Sequence, residues 1–255
     1  MKPKVAVHKF ASCDGCQLAL LNAGPDLLAL AERVDFVHFA EAGIVAPEAE
    51  ADIALVEGSV STPEEAARIR TVRERSRYLV TIGACATAGG LQALRNGADA
   101  GAWVAGVYAH PEWIEISPRA LPVAEFVKVD HELRGCPVST RQVLALFHDL
   151  LRGVAPRPVE SSVCLACKRA GHACVTVTQG EPCLGPVTQD GCGALCPGRG
   201  RGCYGCYGPA ATVNAEGLIR HWTAQGMDKD AVRRRFRFIT PEAPAFRTAA
   251  EEGGE

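Results

Sequence analysis

The sequence predicts an α/β fold of the flavodoxin-like type, a doubly wound parallel sheet followed by an irregular cysteine-rich domain. Three observations carry this expectation. Short apolar segments bounded by charge or glycine alternate with helical stretches over residues 1–155, the pattern of buried parallel strands joined by crossover helices. The linker-like GVAPRP at Gly153–Pro158 then ends the alternation. Beyond it, eight of the twelve cysteines fall within the 43 residues from Cys164 to Cys206, a run with few large apolar side chains that cannot hold itself together by burial alone.

The elements follow in order. Lys4–His8 (KVAVH) reads as a strand with Val5 and Val7 on one face. Residues 34–40, 53–57 and 78–82 are the next strands, and 127–129 is the fifth. Helices are expected from Gln17 to about Arg33, over Pro63–Ser76 and over Ala86–Asn96. Ser139 is the N-cap of a further helix whose apolar face is Val143, Leu146, Phe147, Leu150 and Leu151. After the linker, Asp228–Phe238 reads as a last helix capped by Asp228, and the final AAEEGGE as disordered. The expected domains are 1–155 and 156–255.

At 255 residues the chain is long enough for one core and a smaller appendage. A net charge of −2 points to neither nucleic acid nor anionic lipid as a partner. The N-terminus carries no apolar signal region, and no stretch approaches a membrane span, so a cytoplasmic location is expected. In that reducing compartment cysteines are metal ligands rather than a disulfide framework. Twelve divides into three sets of four, and four thiolates are what one 4Fe–4S cubane requires.

Ligands of open α/β sheets gather at the carboxyl ends of the strands. Cys13-Asp-Gly-Cys16 follows the first strand, Gly83-Ala-Cys85-Ala-Thr-Ala-Gly89-Gly90 the fourth, and Arg134-Gly135-Cys136-Pro137 precedes the Ser139 helix. All three loops are therefore expected on one edge, with glycines that let backbone approach a cluster. Taken singly, the CxxC is also a zinc half-site or a redox dithiol. The GxCxxxGG is equally a loop leading into a helix with an incidental cysteine. Glu57, at the end of the third strand, either meets a partner or relays protons, or caps a backbone turn. Asp14 keeps its loop solvated, and the basic run Arg233–Arg235 with Arg237 reads as a solvated helix face. No nucleotide fingerprint, Walker motif or nickel-ligand cysteine pair is present.

CxGC, GxCxxxGG and GCP, in this order on such a domain, resemble the small subunit of NiFe hydrogenases. The 20 kDa cluster-bearing subunit of respiratory complex I is a more distant likeness, because its first motif has two adjacent cysteines. The resemblance implies that Cys13, Cys16, Cys85 and Cys136 hold a proximal 4Fe–4S cluster. It continues through Cys183-Leu-Gly-Pro and Cys203-Tyr-Gly-Cys206. It implies a distal cluster on Cys164, Cys167, Cys174 and Cys183, where Cys164 replaces the histidine of periplasmic relatives and His172 is left as a surface histidine. It implies a medial cluster on Cys192, Cys196, Cys203 and Cys206, where Cys196 replaces a proline that accompanies a three-iron cluster.

The function implied by the resemblance is that of an electron-transferring subunit of a cytoplasmic, bidirectional NiFe hydrogenase. Such a subunit is inactive alone and similar to the delta subunit of NAD(P)-linked hydrogenases and sulfhydrogenases. Its implied partners are a NiFe large subunit and flavin/NAD(P)-binding and ferredoxin-like subunits. The loops at residues 13–17, 57–60, 85–90 and 134–137 are expected to meet the large subunit. The alternatives are the small subunit of a heterodisulfide-reductase-linked, non-F420 hydrogenase, and a zinc-stabilised cysteine-rich scaffold using the same thiolates.

Overall fold

The computed structural model describes residues 2–253. In chain order the first part comprises β1 (Lys4–Lys9), α1 (Gly15–Leu21), α2 (Pro25–Ala31), β2 (Asp35–Phe39), β3 (Ala51–Glu57), α3 (Pro63–Glu74), β4 (Ser76–Ile82), α4 (Gly83–Ala88), α5 (Ala100–Val107), β5 (His131–Leu133) and α6 (Thr140–Leu150). After these come α7 (Val163–Arg169), α8 (Val175–Gln179), α9 (Ala215–Ala224), α10 (Lys229–Phe236) and α11 (Pro244–Glu252).

The five strands form one sheet in the order β2-β1-β3-β4-β5, all pairs parallel. This is the flavodoxin-like order, and its switch point lies between β1 and β3. Both faces are covered, which explains strands without polar alternation. On one face Val7, Leu55, Val80 and Ile82 pack with Leu20 of α1 and Val143, Leu146 and Phe147 of α6. On the other, Ala54, Val56 and Leu79 pack with Ile69 and Val72 of α3.

A separate apolar cluster serves the cysteine-rich part. Val163, Leu184 and Val187 pack with Trp222, Val232, Phe236 and Phe246 of the last three helices. Phe236 meets Phe246 edge-on at 5.5 Å. The thiol-bearing run has few apolar residues of its own, and the chain downstream supplies them. Buried Glu242 ties this part back to the sheet. Its carboxylate accepts from Asn96 at 2.8 Å and pairs with Arg119 at 2.7 Å, and its N–H donates to the Ala88 carbonyl.

Several sequence expectations are corrected. The helix expected from Gln17 to Arg33 is two helices, because Gly24 takes φ 58° and Pro25 begins the second one. The one expected over Ala86–Asn96 is broken by Gly89 and Gly90, both at positive φ, so α4 stops at Ala88 and a 3₁₀ segment follows over Leu91–Gly97. The fifth strand is His131–Leu133 rather than 127–129, while Val127 and Val129 pack beside the sheet. Ser139 stands at the N-cap position of α6, but its side chain makes no capping hydrogen bond. Asp228 does cap α10, accepting from the Ala231 N–H at 2.7 Å. That helix is not the last. Ala249–Glu252, expected to be disordered, belong to α11, and Phe246, Ala249 and Ala250 are buried. The final two residues of AAEEGGE lie outside the described residues.

Candidate metal centres

The first four cysteines lie where the strands end. Cys13 and Cys16 follow β1, Cys85 sits in α4 directly after β4, and Cys136 follows β5. A backbone hydrogen bond from the Ala84 N–H to the Gly135 carbonyl (2.7 Å) joins the last two loops. Cys16 is buried and Cys85 half-buried, while Cys13 and Cys136 are exposed.

All twelve cysteines are free thiols, and neighbouring ones act on one another electrostatically, with Cys183 reaching Cys164 and Cys167 as well as Cys196 and Cys203. Burial pushes the Cys16 thiol up, helped by the charges of Glu57, Cys85 and Cys136. Burial pushes Cys85 up to about 12, with Cys136 and Cys13 adding to it. Cys164 and Cys167 are raised by burial and by each other or by Cys174 and Cys183. Cys203 and Cys206 are each pushed up to about 12 by burial, with Cys206 feeling Cys192, Cys136 and Cys196. Cys196 is raised by burial and by Cys192. Thiolates held close to one another are unfavourable unless a cation sits among them.

The surroundings suit an inorganic cluster. A methyl at Gly83 would fall 2.3 Å from Cys16 Sγ, and one at Gly90 2.5 Å from Cys85 Sγ. Both glycines also have φ in the left-handed region, so no other residue serves there. Backbone N–H groups already point at sulfur. Val138 donates to Cys16 Sγ at 3.4 Å, Gly185 to Cys183 Sγ at 3.4 Å and Gly205 to Cys203 Sγ at 3.4 Å. Such bonds favour the thiolate and tune a bound cluster. Among the described residues no three His, Cys, Asp or Glu side chains close on a single ion.

The groups touch in one order. The ring of Tyr207, next to Cys206, lies against Gly135, next to Cys136, linking the first group to the third. The Cys203 N–H donates to Cys183 Sγ at 3.2 Å, linking the third group to the second.

Glu57 is explained by this geometry. It is 2% exposed, and its carboxylate accepts from the backbone N–H groups of Cys16 (3.0 Å) and Gln17 (3.2 Å). Asp14, at the N-cap position of α1, has φ 64° and makes no capping bond; it pairs instead with Lys9 at 2.6 Å. Glu57 thus caps α1 from the neighbouring strand, and burial holds its carboxyl above the ordinary range. His172 is half-buried, and a methyl on Gly198 would fall 2.7 Å from its Nε2. Arg235 of the basic run pairs with Glu181 at 3.9 Å.

Sequence reasoning missed four contributors. The Gln92 side chain lies with the Cys85 thiol beside Gly90, the cations of Lys168 and Arg201 act on Cys164 and Cys196, and Tyr207 packs between two cysteine loops. Each lies within five residues of a cysteine or of the double glycine, which is the one signal that marked them.

A flavodoxin-like sheet whose strand-end loops converge their thiols, extended by a second thiol-rich module, defines a class of cysteine-liganded α/β subunits. Residues 13–150 match the family described as NADH ubiquinone oxidoreductase, 20 kDa subunit. The delta subunit of sulfhydrogenase 2 from Pyrococcus furiosus is 37% identical over 217 residues, covering 85% of this chain and 90% of that one. A subunit of the F420-non-reducing hydrogenase vhu from Methanocaldococcus jannaschii is 28% identical over 80% of this chain and 81% of its own. A crystal structure of an NAD+-reducing [NiFe]-hydrogenase matches with a TM-score of 0.57 and 32% identity, covering 62% of this chain and 96% of that one. The chain belongs to this family, as one of its NiFe-hydrogenase small subunits.

Proposed function

We propose that the chain is the electron-conducting small subunit of a cytoplasmic, bidirectional NiFe hydrogenase, an oxidoreductase acting on hydrogen. It relays electrons between the NiFe site of a large subunit and a flavin/NAD(P)-binding partner. Cys13, Cys16, Cys85 and Cys136 hold the proximal 4Fe–4S cluster, Cys192, Cys196, Cys203 and Cys206 the medial one, and Cys164, Cys167, Cys174 and Cys183 the distal one. The observation that carries this reading is the placement of the free thiols, joined in the order first, third, second by the Tyr207 ring against Gly135 and by the Cys203 N–H on Cys183 Sγ. Bound clusters would supply one-electron storage at each group. The chain's own part is to hold the thiolates, direct N–H groups at them and exclude water. Residues 1–155 form the proximal-cluster domain and residues 156–255 the other.

Exposure of Cys13 and Cys136 at the sheet edge supports docking of the large subunit there. Leu18 (48% exposed), Leu91 (49%) and Leu94 (46%) flank those loops and offer it apolar surface. Among the described residues no helix is long and apolar enough to cross a membrane. A second reading, the small subunit of a heterodisulfide-reductase-linked hydrogenase, is favoured by the likeness to the vhu hydrogenase; the flavin-bearing or heterodisulfide-reductase identity of co-purified partners separates the two.

Metal analysis tests the proposal. Anaerobically purified protein is expected to carry about twelve iron and about twelve sulfide per chain. Stoichiometric zinc without iron would overturn the reading in favour of a zinc-stabilised scaffold.

A further inference from the structure

Two cysteine groups meet on one aromatic ring. Tyr207 follows Cys206 directly and is 4% exposed. Its ring lies against the backbone of Gly135, which precedes Cys136, and of Gly191, which precedes Cys192. A methyl at Gly135 would fall 2.6 Å from the Pro137 carbonyl oxygen and 2.7 Å from the Tyr207 Cζ, and one at Gly191 would fall 2.1 Å from its Cε1. The hydroxyl donates to the Pro137 carbonyl at 3.4 Å. Two loops that carry cysteines of different groups are thus both glycine at the point where any side chain would displace this ring. A planar side chain that fills such a gap holds its neighbours at a set distance, because packed interiors transmit small shifts rather than absorb them.

We propose that Tyr207 is a positioning residue that sets the gap between the proximal and medial clusters and keeps it dry, so that its ring governs their electronic coupling. The inference rests on the cluster assignment above. In the step concerned, one electron leaves one cluster and enters the other; no bond forms or breaks, and no proton moves. The hydroxyl therefore has no part in the transfer. Its single hydrogen bond is long, and the ring is what touches both loops.

The test uses the anaerobically purified hydrogenase complex with three substitutions. Tyr207→Phe keeps the ring, Tyr207→Leu removes it, and Gly191→Ala keeps it but pushes it aside. Gly191 does not lie at positive φ, so alanine there alters the ring contact rather than the backbone. The readouts are iron per chain, the medial reduction potential, and the spin–spin splitting between the reduced proximal and medial clusters. The Phe variant is expected to match the wild type in all three. The Leu and Ala variants are expected to keep their iron and to show a changed or lost splitting with a shifted medial potential. Full iron with unchanged splitting and potential in both would overturn the proposal. So would loss of medial iron in both, which would make the ring a prop for the fold. Wild-type protein with zinc and no iron would instead refute the function reading, and metal analysis shows that before any variant is made.

Discussion

Removing the Glu57 carboxylate tests how the sheet holds its first cysteine loop. The perturbation is Glu57→Ala. Two buried backbone N–H groups, of Cys16 and Gln17, lose the acceptor they now reach at 3.0 and 3.2 Å. Asp14 is turned away from the helix and paired with Lys9, and Gln17 is fully buried, so neither a local cap nor solvent replaces it. At about 1–3 kcal/mol for each orphaned donor, the loss is about 2–6 kcal/mol. Against the ~5–15 kcal/mol that stabilises a typical domain, this is a large fraction. Glu57→Gln keeps one acceptor oxygen and is expected to lose about half as much. The assay is an anaerobic thermal scan of the complex with iron counted before and after. The Ala variant should melt several degrees lower and release the iron of the first group ahead of the rest. A melting temperature within a degree of wild type, with iron retained, would refute the capping argument.

Other outcomes rest on the same structure. On the proposed assignment Cys196→Pro removes one ligand of the medial cluster, and the iron count should fall from about twelve to about eleven with a three-iron signal appearing in the electron paramagnetic resonance spectrum; an unchanged spectrum would mean that Cys196 is not a ligand. His8 is 3% exposed beside His38, and burial, with the His38 and Arg68 charges, lowers its pKa to about 3. The neutral ring is therefore kept in the folded state while the unfolded chain protonates below about 6.5, so its stabilising contribution is present above that pH and lost on acidification. At pH 5.5 the loss is about 1.4 kcal/mol from this residue. Unfolding in urea at pH 7.5 and 5.5 checks it: His8→Leu should show less acid sensitivity than wild type, and equal sensitivity would count against the buried neutral histidine.

The sheet edge is legible in the sequence because its signals are local. KVAVH, the segment ending at Glu57 and the segment ending at Ile82 are apolar runs flanked by breakers, and the observed strands contain them. The broken helices are less visible, because an apolar period continues across Gly24-Pro25 and Gly89-Gly90 while the backbone does not. The fifth strand is misplaced because Val127 and Val129 look like a strand, whereas His131–Leu133 gains that form only by pairing with Val80–Ile82. Helices α7, α8 and α9 are not among the sequence expectations, and the last segment is expected to be unstructured. Their apolar residues are few and make sense only as a shared cluster around Trp222 and Phe246.

By itself the sequence determined the alternating α/β plan and the twelve thiols with the glycines beside them, since each depends on residue type and spacing. Tertiary structure decided what spacing cannot carry. It brought Cys13, Cys85 and Cys136 from three strand ends to one edge, and it turned Glu57 from a strand end into the cap of α1. It also set the Cys203 N–H against Cys183 Sγ and laid Tyr207 between Gly135 and Gly191. These are contacts between segments far apart in sequence. They arise when the sheet and the helical end pack together, and no local preference of either segment encodes them.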